Sequence, residues 1–459
     1  MSKMRSFFVV LAIVVIASML AQCAPAPQPA ATEAPAAPAA TEAVQAPAEE
    51  GFNPPKAPAG PKKTDFAGTK LRVAMINEER EWAFKDRLAD FKAKTGIDVT
   101  IDFFGFEDLY NKALAASAGH TGEYDVYQFH HPDMALFDER GYMLDITDWV
   151  QRDKDEMQLD DINASLQESH MKHRGLYFGV PTHVGSMTFY YRCDLFKEMG
   201  VEAPKTWEDV LAIAKQVEEK YPDIKPFVFM GRSDIQGIAN FMNIMGAYGG
   251  DFFEPETFKP IFNSPENLKA CQTLLELQKY SIPESASYGF DEAHVAFQQG
   301  KAAMLPFWDS GDGFFSDPKQ SDIVDKWCVA PMPGGRATNG GWTVQISADS
   351  KNPEASWEFL KWIVSPEMEK ELVPLKPAAR NSILTDPANA KYPSYQGFYN
   401  VLSGKPFGFP HILPNWQMLE IAAQQMNKVL TGQSTCEDAL KFVQGQYESI
   451  FLRYNLWTP

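Results

Sequence analysis

Residues 69–104 read TKLRVAMINEEREWAFKDRLADFKAKTGIDVTIDFF. Residues 69–76 are typical of a strand, and the apolar spacing in 82–91 predicts a helix that ends at Gly96. A second strand is predicted for 97–103. Two strands joined by a helix through short connections form a right-handed βαβ unit with parallel strands. This stretch therefore predicts an open α/β sheet.

The same alternation continues along the chain. A helix is predicted for 106–118, a third strand for 124–129 and an amphipathic helix for 210–221, whose capping box is Thr206 with Asp209. These patterns predict a second α/β unit after the first. In open α/β sheets, ligands bind in the loops beyond the carboxyl ends of the strands. The first candidate binding residues therefore come from these loops: Glu78, Trp82, Phe129, His131 and Asp133. Trp82 is equally well interpreted as a core residue of its helix.

The N-terminus predicts export. Basic residues precede an apolar run at 7–20, which is the length of a signal-peptide core and shorter than a membrane span. The following Leu20-Ala21-Gln22-Cys23 resembles the lipobox of bacterial lipoproteins, in which Cys23 is lipidated after residues 1–22 are removed. Gln22 stands where a small residue is usual, so an ordinary secretory signal, with Cys23 incidental, is the alternative.

Residues 23–63 are mainly Ala, Pro, Thr, Glu and Gln, which predicts a disordered linker. A linker of this length spans on the order of 100 Å when extended. Together with a lipidated Cys23, it would hold the folded body away from a membrane surface.

Composition limits the remaining possibilities. The rest of the chain, roughly 395 residues, suits two domains better than one core. A net charge of −18 argues against nucleic acid as a partner, because like charges repel. Cys193, Cys271, Cys328 and Cys436 allow three pairings, but their spacing shows no disulfide framework, so buried free thiols are favoured. The histidines lie at no metal-ligand spacing, so neither a metal nor another cofactor is expected.

Several segments, in order along the chain, resemble the bacterial extracellular solute-binding proteins of ABC importers, in the carbohydrate-binding branch that includes the maltose-binding protein. The matching segments are Phe91–Thr100, Tyr124–Val126, Gly141–Asp145, Gly179–Pro181, Phe189–Phe196, Pro204–Glu208, Gly300–Met304, Trp308, Gly340–Trp342, Ser350–Leu360 and Ser365–Glu367. The resemblance implies a two-lobed periplasmic-binding-protein-like fold, in which each lobe is an open α/β sheet flanked by helices and the ligand cleft lies between the lobes.

The resemblance also implies the domain bounds. We expect lobe I to comprise 64–184 plus 330–375, and lobe II to comprise 185–329 plus 376–459. The chain would cross between the lobes near 182–186, 326–329 and 373–377.

A sugar presents hydroxyls at its rim and weakly apolar C–H faces, so its site needs aromatic platforms and side chains that donate and accept hydrogen bonds. By position within the resemblance or by this chemistry, the further candidates are Thr182, His183, Gln236, Asn240, Trp308, Asp309, Gly340, Gly341, Trp342, Arg380 and Trp416. The paired glycines would let the backbone approach a ligand. Core packing is the alternative for each tryptophan, and a structural salt bridge is the alternative for Arg380.

The resulting prediction is a monomeric lipoprotein, anchored outside the cell membrane, that captures a sugar, oligosaccharide or polyol and delivers it to the permease subunits of an ABC importer. An exported carbohydrate-active enzyme is one alternative, although no nucleophile elbow, HExxH motif or clear acid/base pair is present. A surface lipoprotein that senses its ligand without a transporter is the other.

Overall fold

The computed structural model describes residues 52–373, 375–403 and 407–459. The predicted leader, Cys23 and most of the predicted linker lie outside these residues. No helix in the described ranges is both long enough and apolar enough to cross a membrane.

The elements alternate between strands and helices along the chain. The strands are β1 Lys70–Ile76, β2 Asp98–Phe104, β3 Val126–His130, β4 Lys172–His173, β5 Leu176–Tyr177, β6 Gly179–Tyr191, β7 Lys225–Phe227, β8 Ala302–Trp308, β9 Cys328–Ala330, β10 Thr338–Ile346 and β11 Phe407–Gly408. The helices of the first half are α1 Glu79–Asp86, α2 Leu88–Thr95, α3 Phe106–Ala118, α4 Met134–Glu139, α5 Thr147–Arg152, α6 Ala164–Leu166, α7 Cys193–Met199, α8 Trp207–Lys220 and α9 Ile235–Ala247. Those of the second half are α10 Pro265–Lys279, α11 Phe290–Gln298, α12 Gly311–Ser316, α13 Pro353–Ile363, α14 Pro366–Leu372, α15 Asn381–Leu384, α16 Pro393–Ser403, α17 Asn415–Leu430 and α18 Cys436–Arg453.

The βαβ prediction is confirmed. Strand β1 pairs in parallel with β2, from Lys70 opposite Asp98 to Ile76 opposite Phe104, and in parallel with β3 on its other side. Two helices, α1 and α2, replace the single predicted helix, and α2 ends at Gly96 in the left-handed conformation with φ 78°. Glycine adopts this conformation without steric cost, which is why the chain can turn directly into β2.

The predicted start of the second unit is also confirmed. Thr206 caps α8, and the capping box with Asp209 is complete. The cap bonds the first free backbone N–H groups of the helix.

Strand β6 is shared by two halves of one sheet. In the described part of the chain the sheet order is β2-β1-β3-β10-β6-β8-β7, with β11 beside β10 and β9 beside β6. Residues 179–186 of β6 pair with β10, and residues 187–191 pair with β8. One continuous strand therefore joins the two halves of the sheet.

Strand β6 changes its partner from β10 to β8 between Ser186 and Met187, and we call this point the changeover. Two large groups of buried apolar side chains lie on either side of it. Val184 belongs to the group that contains Val73 and Trp357, whereas Met187 belongs to the group that contains Trp207 and Phe241. We call the part around the first group, with β1 to β3, lobe I. The part around the second group, with β7 to β9 and α17 to α18, is lobe II.

The packing refines the expected bounds of the lobes. Ala337 belongs to the lobe II core, so we propose that the second crossing follows it. Phe398 and Leu402 belong to the lobe I core, whereas Phe407 belongs to that of lobe II. We therefore propose that the second segment of lobe I extends beyond residue 375, at least as far as Leu402.

The folded body begins before residue 64, which is where the predicted linker would give way to it. The Ala57 N–H donates to the Asp145 carbonyl at 2.9 Å, and the ring of Phe52 lies 5.5 Å from that of His173. Residues 52–58 thus pack against the body, although their composition resembles that of the preceding linker. One aromatic ring and a few backbone bonds are enough to order such a segment.

The expectation of free thiols is wrong. Cys193 is bonded to Cys328 and Cys271 to Cys436, with Cα atoms 5.5 Å and 5.9 Å apart. The partners are separated by 135 and 165 residues, so sequence spacing could not reveal the pairing. Both bonds lie in lobe II, and the second ties α10 to the start of α18.

Replacing both Cys271 and Cys436 by alanine should lower the free energy of unfolding by about 3 kcal/mol, because the unfolded chain loses a cross-link that closes a long loop. Denaturant unfolding of the variant and the parent measures the difference. Alkylation of the unfolded, unreduced parent should leave the peptides that contain Cys193, Cys271, Cys328 and Cys436 unlabelled. Labelling of Cys271 or Cys436 there would contradict the pairing.

Candidate functional site

Four aromatic side chains meet at the carboxyl end of β3. The ring of Phe106 lies 5.5 Å from that of Trp342, 5.8 Å from that of His130 and 5.9 Å from that of Trp416. His130 ends β3 and pairs with Trp342 on β10, while Trp416 lies in the first turn of α17. Lobe I thus supplies three rings and lobe II the fourth. We call Phe106, His130, Trp342 and Trp416 the aromatic cluster.

Trp308 forms a second aromatic surface, on lobe II. Its Nε1 donates to Oε1 of Gln236 at 2.8 Å, which fixes the plane of the indole. A Cβ atom at Gly340 would lie 3.1 Å from the indole and 3.9 Å from the ring of Phe409. Glycine therefore allows β10 to pass close to the ring. Phe409 extends this surface to His130, whose ring is 5.7 Å away.

Two hydrogen bonds join the lobes beside the aromatic cluster. The indole Nε1 of Trp416 donates to Oδ1 of Asp133, and Nδ2 of Asn415 donates to the Pro132 carbonyl at 2.7 Å. The Asp133 side chain is only 4% exposed, and burial raises its pKa well above the ordinary value.

Buried polar side chains flank the changeover in β6. Nε2 of Gln128 donates to Oε1 of Glu81 at 3.0 Å and to Oγ1 of Thr182 at 2.7 Å. Nη1 of Arg80 lies 2.9 Å from Nε2 of His183. Since arginine only donates, this ring nitrogen accepts, and the neutral His183 ring carries its proton on Nδ1.

Two carboxyl groups here titrate near neutral pH. Oδ2 of Asp309 accepts from the Ser186 N–H at 3.0 Å, and a Cβ atom at Gly185 would lie 2.6 Å from it. Burial raises the pKa of Asp309 to about 7 and that of Glu81 to about 7, although the charge of Arg80 opposes both shifts. Each group can therefore donate or accept a hydrogen bond at little cost.

Five histidines lie around the same place: His131, His170 and His183 are buried, and His130 and His411 are half-buried. The rings of His131 and His170 stack with centroids 4.5 Å apart. Burial lowers the pKa of His170 to about 4 and those of His130 and His411 to about 3, and it lowers the pKa values of His131 and His183 well below the ordinary value. All five rings are therefore neutral near pH 7, and each offers one donor and one acceptor.

Several buried polar atoms of these elements have no hydrogen-bond partner in the described ranges. They are Arg80 Nε, Glu81 Oε2, His130 Nδ1, His131 Nδ1, His183 Nδ1, Ser186 Oγ, Asn240 Nδ2, Asn339 Oδ1 and His411 Nε2. Because buried polar groups are nearly always bonded, this concentration of donors and acceptors beside aromatic faces suits a small polar molecule with C–H surface.

Most of the predicted residues converge on this region. Asp133, Trp342 and Trp416 meet in or beside the aromatic cluster, while Gln236, Trp308 and Gly340 form the second surface. Thr182, His183 and Asp309 line the changeover, and Asn240 lies one helical turn after Gln236. A Cβ atom at Gly341, where φ is 153°, would lie 2.4 Å from the His183 carbonyl oxygen, so this glycine is needed for strand packing. The ring of His131 lies 6.1 Å from that of Phe409.

Other predicted residues have structural surroundings. Arg380 is fully buried, and its guanidinium donates to the carbonyls of Val364 at 3.0 Å and Met157 at 2.8 Å. Phe129 is a core residue whose ring lies 4.2 Å from that of Phe137. We do not include either in the proposed site.

The remaining two predicted residues, Trp82 and Glu78, lie at the edge of the candidate site. Trp82 is 45% exposed and donates to Oδ1 of Asn77 at 3.0 Å, so it is not a core residue. Glu78 forms an ion pair with Arg80 and thereby holds that guanidinium near His183.

The residues predicted from the sequence do not include Arg80, His130, His170 and Phe409. Arg80 and His130 fall in stretches that the strand-end rule predicts as loops, although the structure places Arg80 in α1 and His130 at the end of β3. His170 and Phe409 follow no predicted strand, so only the folded chain brings them here. Among the described residues, no group of three or more His, Cys, Asp or Glu is arranged to hold a metal ion.

The profile of the family "Bacterial extracellular solute-binding protein" matches residues 77–370. A probable amino-acid ABC transporter periplasmic-binding protein of Sinorhizobium fredii is 25% identical over 398 residues, covering 84% of this chain and 90% of the relative. The mannitol-binding protein of Pseudomonas aeruginosa is 22% identical over 348 residues, covering 73% of this chain and 77% of that protein.

Solved structures share the fold. An ABC transporter solute-binding protein from Agrobacterium radiobacter, in complex with ribitol, is 28% identical with a TM-score of 0.74, covering 84% of this chain and all of that one. A maltose-bound protein of T. maritima is 23% identical with a TM-score of 0.74, covering 83% of this chain and 100% of the other. The second likeness concerns the fold alone. The two-lobed α/β architecture is thus confirmed.

His170→Gln should reduce the dependence of stability on pH. The pKa of buried His170 lies below that of an unfolded histidine, so acidification from pH 6.5 protonates the unfolded chain first and destabilises the parent. This contribution is about 2 kcal/mol at pH 5 and is absent from the variant. Between pH 7.5 and pH 5, the free energy of unfolding of the variant should therefore rise by about 2 kcal/mol relative to that of the parent. Denaturant unfolding of both proteins at the two pH values measures this change.

The control for this experiment is His120→Gln, which removes a histidine whose side chain is 68% exposed. A parent-minus-variant difference for His170→Gln that stays constant between the two pH values would contradict a neutral, buried His170.

Proposed function

The chain belongs to the family of bacterial extracellular solute-binding proteins, and we propose that it captures a sugar, an oligosaccharide or a polyol between its lobes and delivers it to the permease subunits of an ABC importer. The observation that carries this proposal is the concentration of unpartnered buried donors and acceptors beside the aromatic cluster and Trp308. Family membership places the chain outside the cytoplasm.

The geometry matches what a polyhydroxyl ligand presents. The indoles of Trp308, Trp342 and Trp416 can pack on C–H faces. Ring nitrogens, amides, a guanidinium and two carboxyls of adjustable protonation can bond the hydroxyl rim. Backbone carbonyl and N–H groups near Gly340 add further partners, because a residue without Cβ leaves them accessible.

Both lobes contribute to the site, which explains how binding would drive closure. His130, Asp133 and Trp342 come from lobe I, whereas Gln236, Trp308 and Trp416 come from lobe II. A ligand that contacts both sets has its full affinity only when the lobes are together, so it stabilises the closed state by the difference. We propose that the three crossings between the lobes act as hinges. At the first of them the chain crosses as one uninterrupted strand, β6.

The names of relatives support the ligand class. They include a mannitol-binding protein and a maltotriose-binding protein, and one solved neighbour holds ribitol. The family and its neighbours are binding proteins, and we propose that this chain likewise performs no catalysis and acts as a monomer. A role in ligand sensing remains the second candidate, since the same closed lobes could dock to a receptor.

We further propose that Cys23 is lipidated and that residues 24–51 tether the body to the outer face of the cell membrane. The basis is the order of signal core, cysteine and Ala/Pro-rich segment. All of these residues lie outside the described ranges.

Saturating sugar or polyol should stabilise the protein by about 2.7 kcal/mol at a hundredfold excess over Kd. A thermal-shift panel of monosaccharides, oligosaccharides and polyols measures this response. Trp308→Ala should weaken binding on the order of 30-fold, because the ligand loses an aromatic platform. Trp457→Ala, near the C-terminus, is the matched control and should bind like the parent. A panel without any response would sink the carbohydrate proposal.

Cys23→Ser should release the protein from membranes, because a serine cannot carry the thioether-linked lipid. Fractionation of producing cells and intact mass of the mature chain are the measurements. A soluble parent whose mass shows no added lipid would rule out the anchor, and the ordinary secretory signal would then stand. Ligand binding by the soluble body should be equal in both forms.

A further inference from the structure

A small cavity lies inside the aromatic cluster, at the carboxyl end of β3. Its volume is about 10 Å³, and its lining includes Phe106, Tyr110, Gln128, His130, Asp133 and Trp342. Such a volume holds one group the size of a water molecule. The cavity is therefore a subsite for a single small polar group rather than for a sugar ring.

The polar lining of this cavity offers several hydrogen-bond acceptors, and the Tyr110 hydroxyl, which can donate or accept, lines it as well. Gln128 is fully engaged, because its Oε1 accepts from the Ile76 N–H at 2.9 Å while its Nε2 donates to Glu81 and Thr182. Nδ1 of His130 is buried without a partner in the described ranges, and it accepts when the ring proton is on Nε2. Asp133 supplies a carboxyl group whose donor in the described structure is the Trp416 indole.

Among the described residues, Asp133 forms no ion pair. Burial raises its pKa well above the ordinary value. A buried carboxylate is stable only with a cation or several strong donors. The subsite thus combines a buried acid with aromatic faces, and such faces attract cations through the ring quadrupole. A hydroxyl could bond the neutral carboxyl, whereas an ammonium would in addition stabilise its ionised form.

We infer that the natural ligand carries a primary ammonium group, and that this group binds between Asp133, His130 and the rings of Phe106 and Trp342. Three N–H donors can bond the Asp133 carboxyl, Nδ1 of His130 and the Tyr110 hydroxyl oxygen, and the positive charge would stabilise the ionised form of Asp133. The inference rests on the proposed function: the ammonium belongs to an amino sugar or an amino polyol whose hydroxyls face the donors outside the cavity, among them Arg80 and Asn240. The net charge of −18 favours the approach of such a cation.

Isothermal titration with matched pairs of ligands tests the inference. The pairs are glucosamine with glucose, galactosamine with galactose, and 1-amino-1-deoxyglucitol with glucitol. At pH 7, the amine should bind more tightly than its hydroxyl partner by at least about 10-fold in one or more pairs, as expected for a buried charge-assisted bond. Neutral partners that bind equally well or better in every pair would overturn the inference and leave the carbohydrate function intact.

Asp133→Asn locates the subsite. The amide oxygen can still accept from Trp416, so the fold should persist, while the negative charge is lost. Affinity for the preferred amine should fall on the order of 100-fold, and affinity for its neutral partner should change by less than about 3-fold. The matched control is Asp138→Asn, because Asp138 is a buried carboxyl on the next helix that bonds Gln345 and does not line the cavity.

Undiminished selectivity for the amine in Asp133→Asn would overturn the placement of the ammonium. If Asp133→Asn fails to fold, His130→Leu serves instead, since it removes another acceptor and should reduce the same selectivity. If neither the ligand pairs nor any monosaccharide, oligosaccharide or polyol of the thermal-shift panel binds, the carbohydrate function itself is overturned.

Discussion

The pairing of β6 with β10 along one half and with β8 along the other is the constraint on which the rest of the structure depends. An antiparallel ladder fixes register residue by residue, so it decides which side chains of the two lobes lie opposite one another. It sets His183 opposite Trp342 and Ser186 opposite Asn339. The close approach of these strands also needs glycine at 185, 340 and 341, where a Cβ atom would meet Asp309, Trp308 or the neighbouring backbone.

The electrostatics of the site follow from burial at this junction. Histidines that would otherwise be partly charged are kept neutral, and carboxyls that would otherwise be ionised have pKa values raised to about 7 or beyond. Neutral groups in a dry setting can donate to or accept from hydroxyls without the cost of moving full charges. The same burial makes Asp133 informative, because a protein rarely buries a carboxyl group without a cation beside it.

Local sequence patterns predict the elements that depend on near neighbours, whereas contacts between distant residues leave little trace in the sequence. The periodicity of 69–104 was enough to predict the parallel strands, and Thr206 with Asp209 marked a helix start correctly, because both features depend on neighbours within a few residues. The rule for strand ends selected the loops that contain Asp133 and His131. It also selected Phe129, whose side chain packs on Phe137, since the rule cannot tell which face of the sheet a residue occupies.

The predictions that the structure corrects concern residues that are far apart in the sequence. The disulfide partners lie 135 and 165 residues apart, and their spacing carried no sign of a bond. Arg380 was a candidate ligand residue by its order in the chain, but its guanidinium binds backbone carbonyls of Val364 and Met157.

By itself, the sequence determined the α/β class, the family resemblance and the kind of chemistry that the cleft residues can perform. These depend on periodicity, motif order and side-chain type, which are properties of the chain. Only the tertiary structure decided which rings touch, which carboxyl lacks a cation and which polar atoms lack partners. Those properties arise when β6 brings the lobes together, because partnership and burial exist only between residues that the fold has placed side by side.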